Sequence, residues 1–377
     1  MIRKALLVII ILATVSLAAV TLILTPTLGN YFALIIGDDG VNYSPDPGDL
    51  TPPIISGHEK AFEKKPVARS TIPSGYEIES KYFYGKFYQN SDEVIEMQIS
   101  NLGDNAIFVY GFGLKGPNGI SKYDNGYLIE AGDSEKIGLV AFEVPGKDQF
   151  SLTPYIYLMA QTESNNWYDY GLQEFKTLEF EAERAPAEVQ NPYYSNPPHY
   201  FKMVNDRVNG TDPLVRTTAE SASSKYSGEY NIYQLCSLFD YLATNVEYVS
   251  DPNESDYWAT PEETIYAGTG DCEDYAFLMA SMVESVGGSS RIYLTDDHAF
   301  AAAYLGKTNE TDESIEAISE YYNSAPVYYF TDSYGSWIIL DASSGMYAGD
   351  LPAGAAPIST GWTFLNQTNV TVIDVYQ

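Results

Sequence analysis

The stretch that decides the fold is GTGDCEDYAFLMASMVESVGG, residues 268–288. A glycine-rich turn, residues 268–270, leads directly into apolar residues at helical spacing, and the glycines at 287–288 end the pattern. The sequence therefore predicts a helix that begins at Cys272, with the thiol in its first turn. Backbone N–H groups at a helix start favour a nearby anion, which is typical of a reactive thiolate. The same groups suit an oxyanion formed when a thiol attacks a carbonyl.

Two residues further along the chain complete a candidate catalytic set. His298 begins the strand-like run HAFAAAYL, and Asp341 ends the run WIILD, which carries no other charge. Alone, such a histidine is typical of a hydrogen-bonded core residue, and such an aspartate of a strand-end cap. With Cys272 they predict a nucleophile, a general base and acid, and a carboxylate that orients the imidazole.

The neighbours of the cysteine are acidic. We expect Asp271 to cap the helix. Glu273 and Asp274 suit the positive end of the helix dipole but oppose a thiolate beside them. The sequence therefore predicts that His298 supplies the positive charge that the Cys272 thiolate needs.

Three runs of this sequence resemble motifs of the transglutaminase-like superfamily. They are WATPEETIYAGTGDCEDYAFLMASMVESVG (258–287), DDHAFAAAYLG (296–306) and WIILDASSG (337–345). The resemblance spans roughly residues 230–345, under a third of the chain. It implies a papain-like core, in which a nucleophile helix packs on an antiparallel sheet that carries histidine and aspartate on neighbouring strands. It assigns the three catalytic positions to Cys272, His298 and Asp341.

The sequence departs from that family pattern in the spacing between its histidine and aspartate. The gap is longer than the family leads us to expect, and the acidic, polar segment at 306–322 accounts for it. We expect this insertion to be part helix and to border the active-site cleft. The family's second oxyanion donor is a side chain upstream of the cysteine. Tyr257 and Trp258 are both candidates, and the sequence leaves the choice open, because Trp258 fits a core position equally well.

Shifts in composition predict five segments. They are a transmembrane signal anchor (1–37), a proline-rich stalk (38–75), a β-sandwich domain (76–184), a linker (185–198) and a transglutaminase-like domain (199–377). Short aromatic and β-branched runs separated by turn residues predict the sandwich. Helical patterns followed by strand-like runs predict that the last segment is an α+β domain of the papain-like type.

The amino-terminal segment predicts the location. Residues 5–25 are about 21 apolar residues, roughly 31 Å as a helix, which matches a bilayer core. Arg3 and Lys4 precede them, so the positive-inside rule predicts a cytoplasmic amino terminus and an extracellular bulk. A cleaved signal peptide is the alternative, but the run is longer than a usual signal core and no clean cleavage site follows.

An extracellular domain would expose its N-glycosylation sequons, although chance occurrence explains each of them equally well. The six sequons begin at Asn42, Asn209, Asn253, Asn309, Asn366 and Asn369.

Composition excludes several classes of function. There are 51 Asp+Glu against 20 Lys+Arg, a net charge of −31, which repels nucleic acid. Only 2 cysteines are present, which excludes cysteine-rich zinc modules and disulfide scaffolds. No phosphate-binding loop, dinucleotide fingerprint or zinc spacing occurs, so we predict neither a cofactor nor a metal site. The acidic group Asp251, Glu254 and Asp256 lacks ordered ligand spacing, and we interpret it as a solvated loop rather than a calcium site.

The second cysteine and the other histidines have simpler interpretations. Cys236 lies on the apolar stripe of a helix predicted within residues 230–249, which indicates an inert core thiol. A Cys236–Cys272 disulfide is the alternative for an extracellular protein. Because a nucleophile must be a free thiolate, we predict two free thiols and rapid alkylation of Cys272 at neutral pH. His58 and His199 are predicted to be surface residues.

Together these features predict a membrane-anchored extracellular thiol enzyme that acts on protein amide bonds. Its partners would be a protein or peptide substrate at the cell surface and, through the anchor, the membrane. We favour hydrolysis through a thioester, since water is the default acceptor unless a site excludes it. Cross-linking with an amine acceptor and a non-catalytic binding module at the cell surface are the alternatives.

Overall fold

The computed structural model of the chain describes residues 48–69, 75–251 and 257–376. The predicted transmembrane segment within residues 1–37 lies outside them. Within the described ranges, no helix is both long enough and apolar enough to cross a bilayer.

The described part of the first half consists of strands. They are β1 (Ala68–Arg69), β2 (Ile78–Phe83), β3 (Phe87–Tyr88), β4 (Asp92–Asn101), β5 (Ile107–Gly116), β6 (Gly119–Tyr123), β7 (Tyr127–Ile129), β8 (Ser134–Glu143), β9 (Gln149–Gln161), β10 (Trp167–Glu174) and β11 (Leu178–Glu183).

The second half mixes helices and strands. The helices are α1 (Pro198–Asn205), α2 (Pro213–Ser223), α3 (Ile232–Asn245), α4 (Pro261–Ala267), α5 (Cys272–Ser285) and α6 (Asp312–Tyr321). The strands are β12 (Tyr193–Ser195), β13 (Glu247–Tyr248), β14 (Thr269–Gly270), β15 (Ser290–Leu294), β16 (Ala299–Gly306), β17 (Tyr329–Thr331), β18 (Ser336–Leu340), β19 (Ala355–Ile358), β20 (Gly361–Phe364) and β21 (Asn369–Asp374).

Strands β1–β11 form two sheets around one apolar core. Strand β4 lies between β2 and β8 in a three-stranded sheet, and the long β9 is central to the eight-stranded sheet. Met97 of the first sheet and Phe112 and Ile156 of the second are fully buried in the same cluster.

The apolar runs predict strands at 82–88, 94–100, 106–114, 136–144 and 154–161. The last four lie largely in β4, β5, β8 and β9, whereas the first is divided between β2 and β3 by residues 84–86. Assignment of the region to the sandwich class stays a prediction. Strands β10 and β11 were not predicted: polar residues interrupt the alternation of β10, whereas β11, LEFEAE, alternates strictly and was missed.

A six-stranded sheet forms the centre of the second half. Its order is β12-β21-β15-β16-β18-β17, and all eight residues of β16 are buried. Helix α5 packs on β16, where Ala301 and Ala303 face the helical core and leave room for a close approach. Phe300 and Trp337 pack in a second cluster on the other face of the sheet. Helices followed by antiparallel strands make this an α+β domain, as the sequence predicts.

The segment predicted as a stalk packs onto both halves over its described part. Ile54 exchanges backbone hydrogen bonds with Tyr230 and Ile232, at 2.9 and 3.1 Å. Glu63 N donates to Gly126 O at 3.1 Å, and β1 pairs with β10. Proline removes a donor only at its own position, so the residues between the prolines remain free to pair. Residues 48–69 thus run along the protein rather than standing away from it.

The acidic insertion after Gly306 contains α6, as expected, but it lies at the wrong end of the sheet to border the cleft. Strand β16 runs away from His298, and its eight residues extend about 26 Å. Helix α6 instead packs on α3, where the hydroxyls of Tyr321 and Tyr322 donate to Asp240, each at 2.9 Å. The prediction that this segment borders the catalytic residues is therefore wrong.

Candidate active site

The start of α5 is held by the strand pair in front of it. Strand β14 pairs with β13 in parallel, and Asp271 follows as the extended N-cap residue. The first helical hydrogen bond runs from Tyr275 N to Asp271 O at 3.1 Å. A side chain at Gly270 would place its Cβ 2.8 Å from the Cβ of Asp274, so the turn requires glycine. Cys272 is therefore fixed as the first residue of the helix, half-buried.

Asp274 ties the helix start to the preceding loop. Its Oδ1 accepts from Ala259 N at 2.8 Å, and its Oδ2 accepts from Asp271 N at 3.4 Å. Burial raises the pKa of Asp274 to about 6. Beside this anchor, the Trp258 ring packs 5.1 Å from Phe277, and the exposed Tyr257 hydroxyl donates to a glutamate at 3.0 Å. Neither contact decides which of the two side chains serves an oxyanion.

His298 and Asp341 lie at the same end of neighbouring strands. Ala301 of β16 pairs with Leu340 of β18, which brings the residues beyond these strand ends together. The Nε2–H of His298 donates to Asp341 Oδ2 at 2.7 Å. This direct bond fixes the orientation of the imidazole ring.

The surroundings of Asp341 favour its ionised form. The residue is 3% exposed. It accepts from the hydroxyls of Ser343 and Ser344 at 2.8 and 2.5 Å, and from Ala353 N at 3.0 Å. Burial acts to raise the pKa of Asp341, but the hydrogen bonds and the attraction of His298 outweigh burial and lower the pKa below its usual value. Ser343 and Ser344 lie inside the motif WIILDASSG, but their spacing does not indicate that they bind Asp341, and Ala353 lies beyond the motif in a loop without periodicity.

The thiol of Cys272 has two neighbours. It donates to Glu273 Oε2 at 3.1 Å, and the backbone N–H of Ala299 donates to the sulfur. Burial, followed by the hydrogen bond and the charge of Glu273, raises the thiol pKa to about 12. The helix start was predicted to favour the Cys272 thiolate, and the raised pKa of the thiol beside Glu273 contradicts that prediction. Desolvation and an adjacent carboxylate outweigh the stabilising effect of the helix start.

The three predicted site residues thus lie close together and are connected by two contacts. His298 and Asp341 are joined directly, and Cys272 is joined to the histidine strand through Ala299, the residue after His298. Among the described residues, no hydrogen bond links the thiol to the imidazole, since the thiol proton is directed at Glu273.

Carboxylates gather beside the cysteine. Side-chain oxygens of Asp251, Asp271 and Glu273 lie within 4.8 Å of one another, a set able to hold a cation. Burial raises the pKa of Glu273 to about 7, and the neighbouring Asp271 adds to the rise. Glu254 and Asp256, predicted as part of a solvated loop with Asp251, lie outside the described residues.

Cys236 is a fully buried, free thiol on α3, as predicted. Burial, together with Asp240 nearby, raises its pKa well above the usual value, so it is unreactive. Cys272 is free as well, and the two are not bridged.

Comparison with known proteins identifies the second half. The model of the Transglutaminase-like superfamily matches residues 216–342, about a third of the chain, and this match contains the helix and both strands of the candidate site. These residues form a transglutaminase-like domain. The resemblance seen in the sequence motifs is thereby confirmed. No curated protein sequence matches the chain.

Several solved structures are similar to parts of this chain. A candidate cysteine protease from Cytophaga hutchinsonii is 13% identical, with 79% of this chain and 94% of that chain covered and a TM-score of 0.25. A candidate protease from Parabacteroides distasonis is 11% identical, with 74% and 72% covered and a TM-score of 0.25. A PapD-like domain of human CEP192 is 14% identical, with 36% and 100% covered and a TM-score of 0.20.

Proposed function

We propose that this protein is a thiol enzyme that hydrolyses amide bonds in a protein or peptide through a thioester on Cys272. His298 acts as base and acid, and Asp341 orients the imidazole. The hydrogen bond of 2.7 Å between His298 and Asp341, at the strand ends next to the nucleophile helix, carries this proposal. A histidine that served only as a core residue would not need a buried, ionised partner.

The geometry supports a definite path for the proton. Because Asp341 is ionised and accepts from Nε2, Nδ1 of His298 is the ring nitrogen that is available to take the thiol proton. The Cys272 sulfur then attacks the carbonyl carbon, and the carbonyl oxygen becomes an oxyanion. The backbone N–H of Cys272, at the first position of α5, has no acceptor within its helix and suits that oxyanion.

The second half of the reaction returns the enzyme to its starting state. The imidazolium of His298 gives its proton to the leaving amine as the carbon–nitrogen bond breaks, which leaves an acyl group on Cys272. His298 then takes a proton from water, whose oxygen attacks the thioester, the sulfur leaves as the acid forms, and the imidazolium returns the proton to the Cys272 sulfur. An amine in place of water would give cross-linking instead.

The proposed setting follows from the sequence. We propose that the apolar residues at 5–25 anchor the chain in the membrane, with the enzyme on the outer side and its substrate at the cell surface. The net charge of −31 argues against nucleic acid as a partner.

The test is a turnover assay on the full-length protein in detergent. Unlabelled proteins and peptides are incubated with the enzyme and a labelled primary amine, and mass spectrometry follows cleavage, deamidation and amine incorporation. We expect cleavage or deamidation that Cys272→Ala abolishes and that Cys236→Ala, the matched change of the buried thiol, retains. Preferential amine incorporation would support a cross-linking enzyme, and equal turnover by Cys272→Ala would refute the thiol mechanism.

A further inference from the structure

Glu273 makes an unusual contact for the neighbour of a nucleophile. It lies in the first turn of α5 and is only 8% exposed, although it is an acidic residue. Its Oε2 accepts the thiol proton of Cys272 at 3.1 Å. A buried carboxylate normally requires a cation or several hydrogen-bond donors. Here the carboxylate of Glu273 accepts from the Cys272 thiol, which is the group that the proposed reaction must deprotonate.

Among the described residues, no lysine or arginine is recorded against the Glu273 carboxylate, and His298, which precedes Ala299 beside the sulfur, becomes positive only after it has taken a proton. The titratable groups that act on it or respond to it are Asp271, Cys272, Asp251 and Tyr248, from the helix cap, the helix itself, the loop after β13 and β13. None of these four groups is a cation. Each ionisation beside Glu273 therefore adds negative charge next to the sulfur, which opposes a thiolate.

Two acceptors thus compete for one proton. A thiol proton held by Glu273 is turned away from Nδ1 of His298, and ionising the thiol beside a carboxylate costs repulsion in a partly desolvated site. Only when Glu273 is protonated or its side chain turns away does the sulfur lose this acceptor. The Ala299 amide, which donates to the sulfur, then remains to favour the thiolate.

We propose that Glu273 is a positioning residue that restrains the nucleophile, holding the Cys272 thiol in its protonated form until this hydrogen bond is released. On release, the proton passes from Sγ to Nδ1 of His298, which gives the thiolate and the imidazolium. This inference rests on the proposed function for the role of His298, but the restraint itself is a property of the thiol and is measurable without substrate.

The test is the alkylation rate of Cys272 in the full-length protein with iodoacetamide and a metal chelator, followed by mass spectrometry of the modified peptide. In Glu273→Gln we expect the rate at pH 7 to rise about tenfold or more, because a fall of one unit in the thiol pKa raises the thiolate fraction tenfold. The inflection of the pH profile of alkylation should move to lower pH by the same amount. A change that loosened the structure would also lower the pKa by exposing the thiol, but it would open the core as well, which alkylation of the buried Cys236 reports.

Two controls come from the chain itself. Glu284→Gln removes another carboxylate of α5, whose pKa burial also raises to about 7, but which lies eleven residues further along the helix, about 16 Å away. We expect it to leave the alkylation of Cys272 unchanged. Cys236 is the internal reference, since its 0% exposure makes it unreactive unless the fold opens.

The outcomes separate this proposal from the proposed function. An unchanged or slower rate in Glu273→Gln, with Cys236 still protected, overturns the restraint, whatever the turnover assay shows. If Cys236 becomes reactive in Glu273→Gln, that variant has lost its fold, and the pH profile of Cys272 alkylation in the wild-type protein is used instead. An inflection well above pH 9 supports the restraint, and one below pH 8 overturns it. If Cys272→Ala retains turnover, the proposed function is refuted. The alkylation rates still test the restraint, because they are measured without substrate.

Discussion

Among the single residues, Asp341 must be ionised if it is to orient His298 and stabilise the imidazolium. Four groups donate to its carboxylate, and they are His298, Ser343, Ser344 and the amide of Ala353. An asparagine would turn its own NH₂ group toward one of these donors and would no longer stabilise the imidazolium. The residue is therefore required for its charge as well as for its shape.

We expect Asp341→Asn to lower kcat/KM by about 10²–10⁴-fold while the fold is kept, because the imidazole loses its orientation and its ionic partner. The measurement is steady-state kinetics on the substrate found in the turnover assay. Asp297→Asn is the control, since Asp297 lies next to His298 in sequence but accepts from Gln367, at 2.7 Å, and from no catalytic residue. Equal losses in both variants would contradict the assigned role.

The sequence predicted the identities of the candidate catalytic residues better than their states. The motifs around Cys272, His298 and Asp341 carry strong local patterns, and the structure brings these residues to one place. The protonated thiol was not predicted, because it depends on burial and on how the side chain of Glu273 turns. The approach of Asp251 was not predicted either, since it crosses a loop with no periodicity.

At the scale of elements, the turn into α5 depends on one glycine. The space beside Gly270 is filled by Asp274, which anchors the loop at Ala259. We expect Gly270→Ala to reduce the free energy of unfolding by about 1–3 kcal/mol, because the added methyl group forces the helix and its anchor apart. Urea unfolding measures this change. Gly57→Ala is the control, because nothing lies within 4 Å of its Cβ position, and an equally stable Gly270→Ala would contradict the packing argument.

Elements were predictable where a local pattern fixes them, and their partners were not. The apolar stripes of α3 and α5 and the buried runs of β16 and β18 follow from sequence alone. The packing of residues 48–69 and the distant position of α6 depend on contacts far apart in the chain. Proline content and spacing carry no information about such contacts, which is why both expectations failed.

At the scale of the whole molecule, buried carboxyls predict how stability varies with pH. Burial raises the pKa of Glu93, Glu273 and Glu284 to about 7 and that of Asp274 and Asp350 to about 6, and it also raises the pKa of Glu135, Asp240 and Asp374. A raised folded-state pKa means that folding favours the protonated form. The stabilisation is complete below the ordinary carboxyl pKa of about 4, and it is lost as pH rises through 6 to 7.

Other carboxyls make the protein more stable as the pH rises. The pKa values of Asp341 and Asp169 are lowered, so their contributions are present at neutral pH and are lost in more acidic solution. We therefore expect Tm to be highest near pH 5 and to fall toward pH 8, helped by the repulsion within a chain of net charge −31. Thermal unfolding at constant ionic strength measures this, and a Tm that rises from pH 5 to pH 8 would contradict the assignment of these buried groups.

The central claim, that Cys272 forms a covalent acyl intermediate, is tested most directly by trapping that intermediate. Full-length enzyme is mixed with the peptide substrate, quenched in acid within the first turnovers and digested for mass spectrometry. We expect an acyl group of the substrate's mass on Cys272, which hydroxylamine removes and which is absent from Cys272→Ala. Turnover that continues with no acyl group on Cys272, or with the acyl group on another residue, would contradict it.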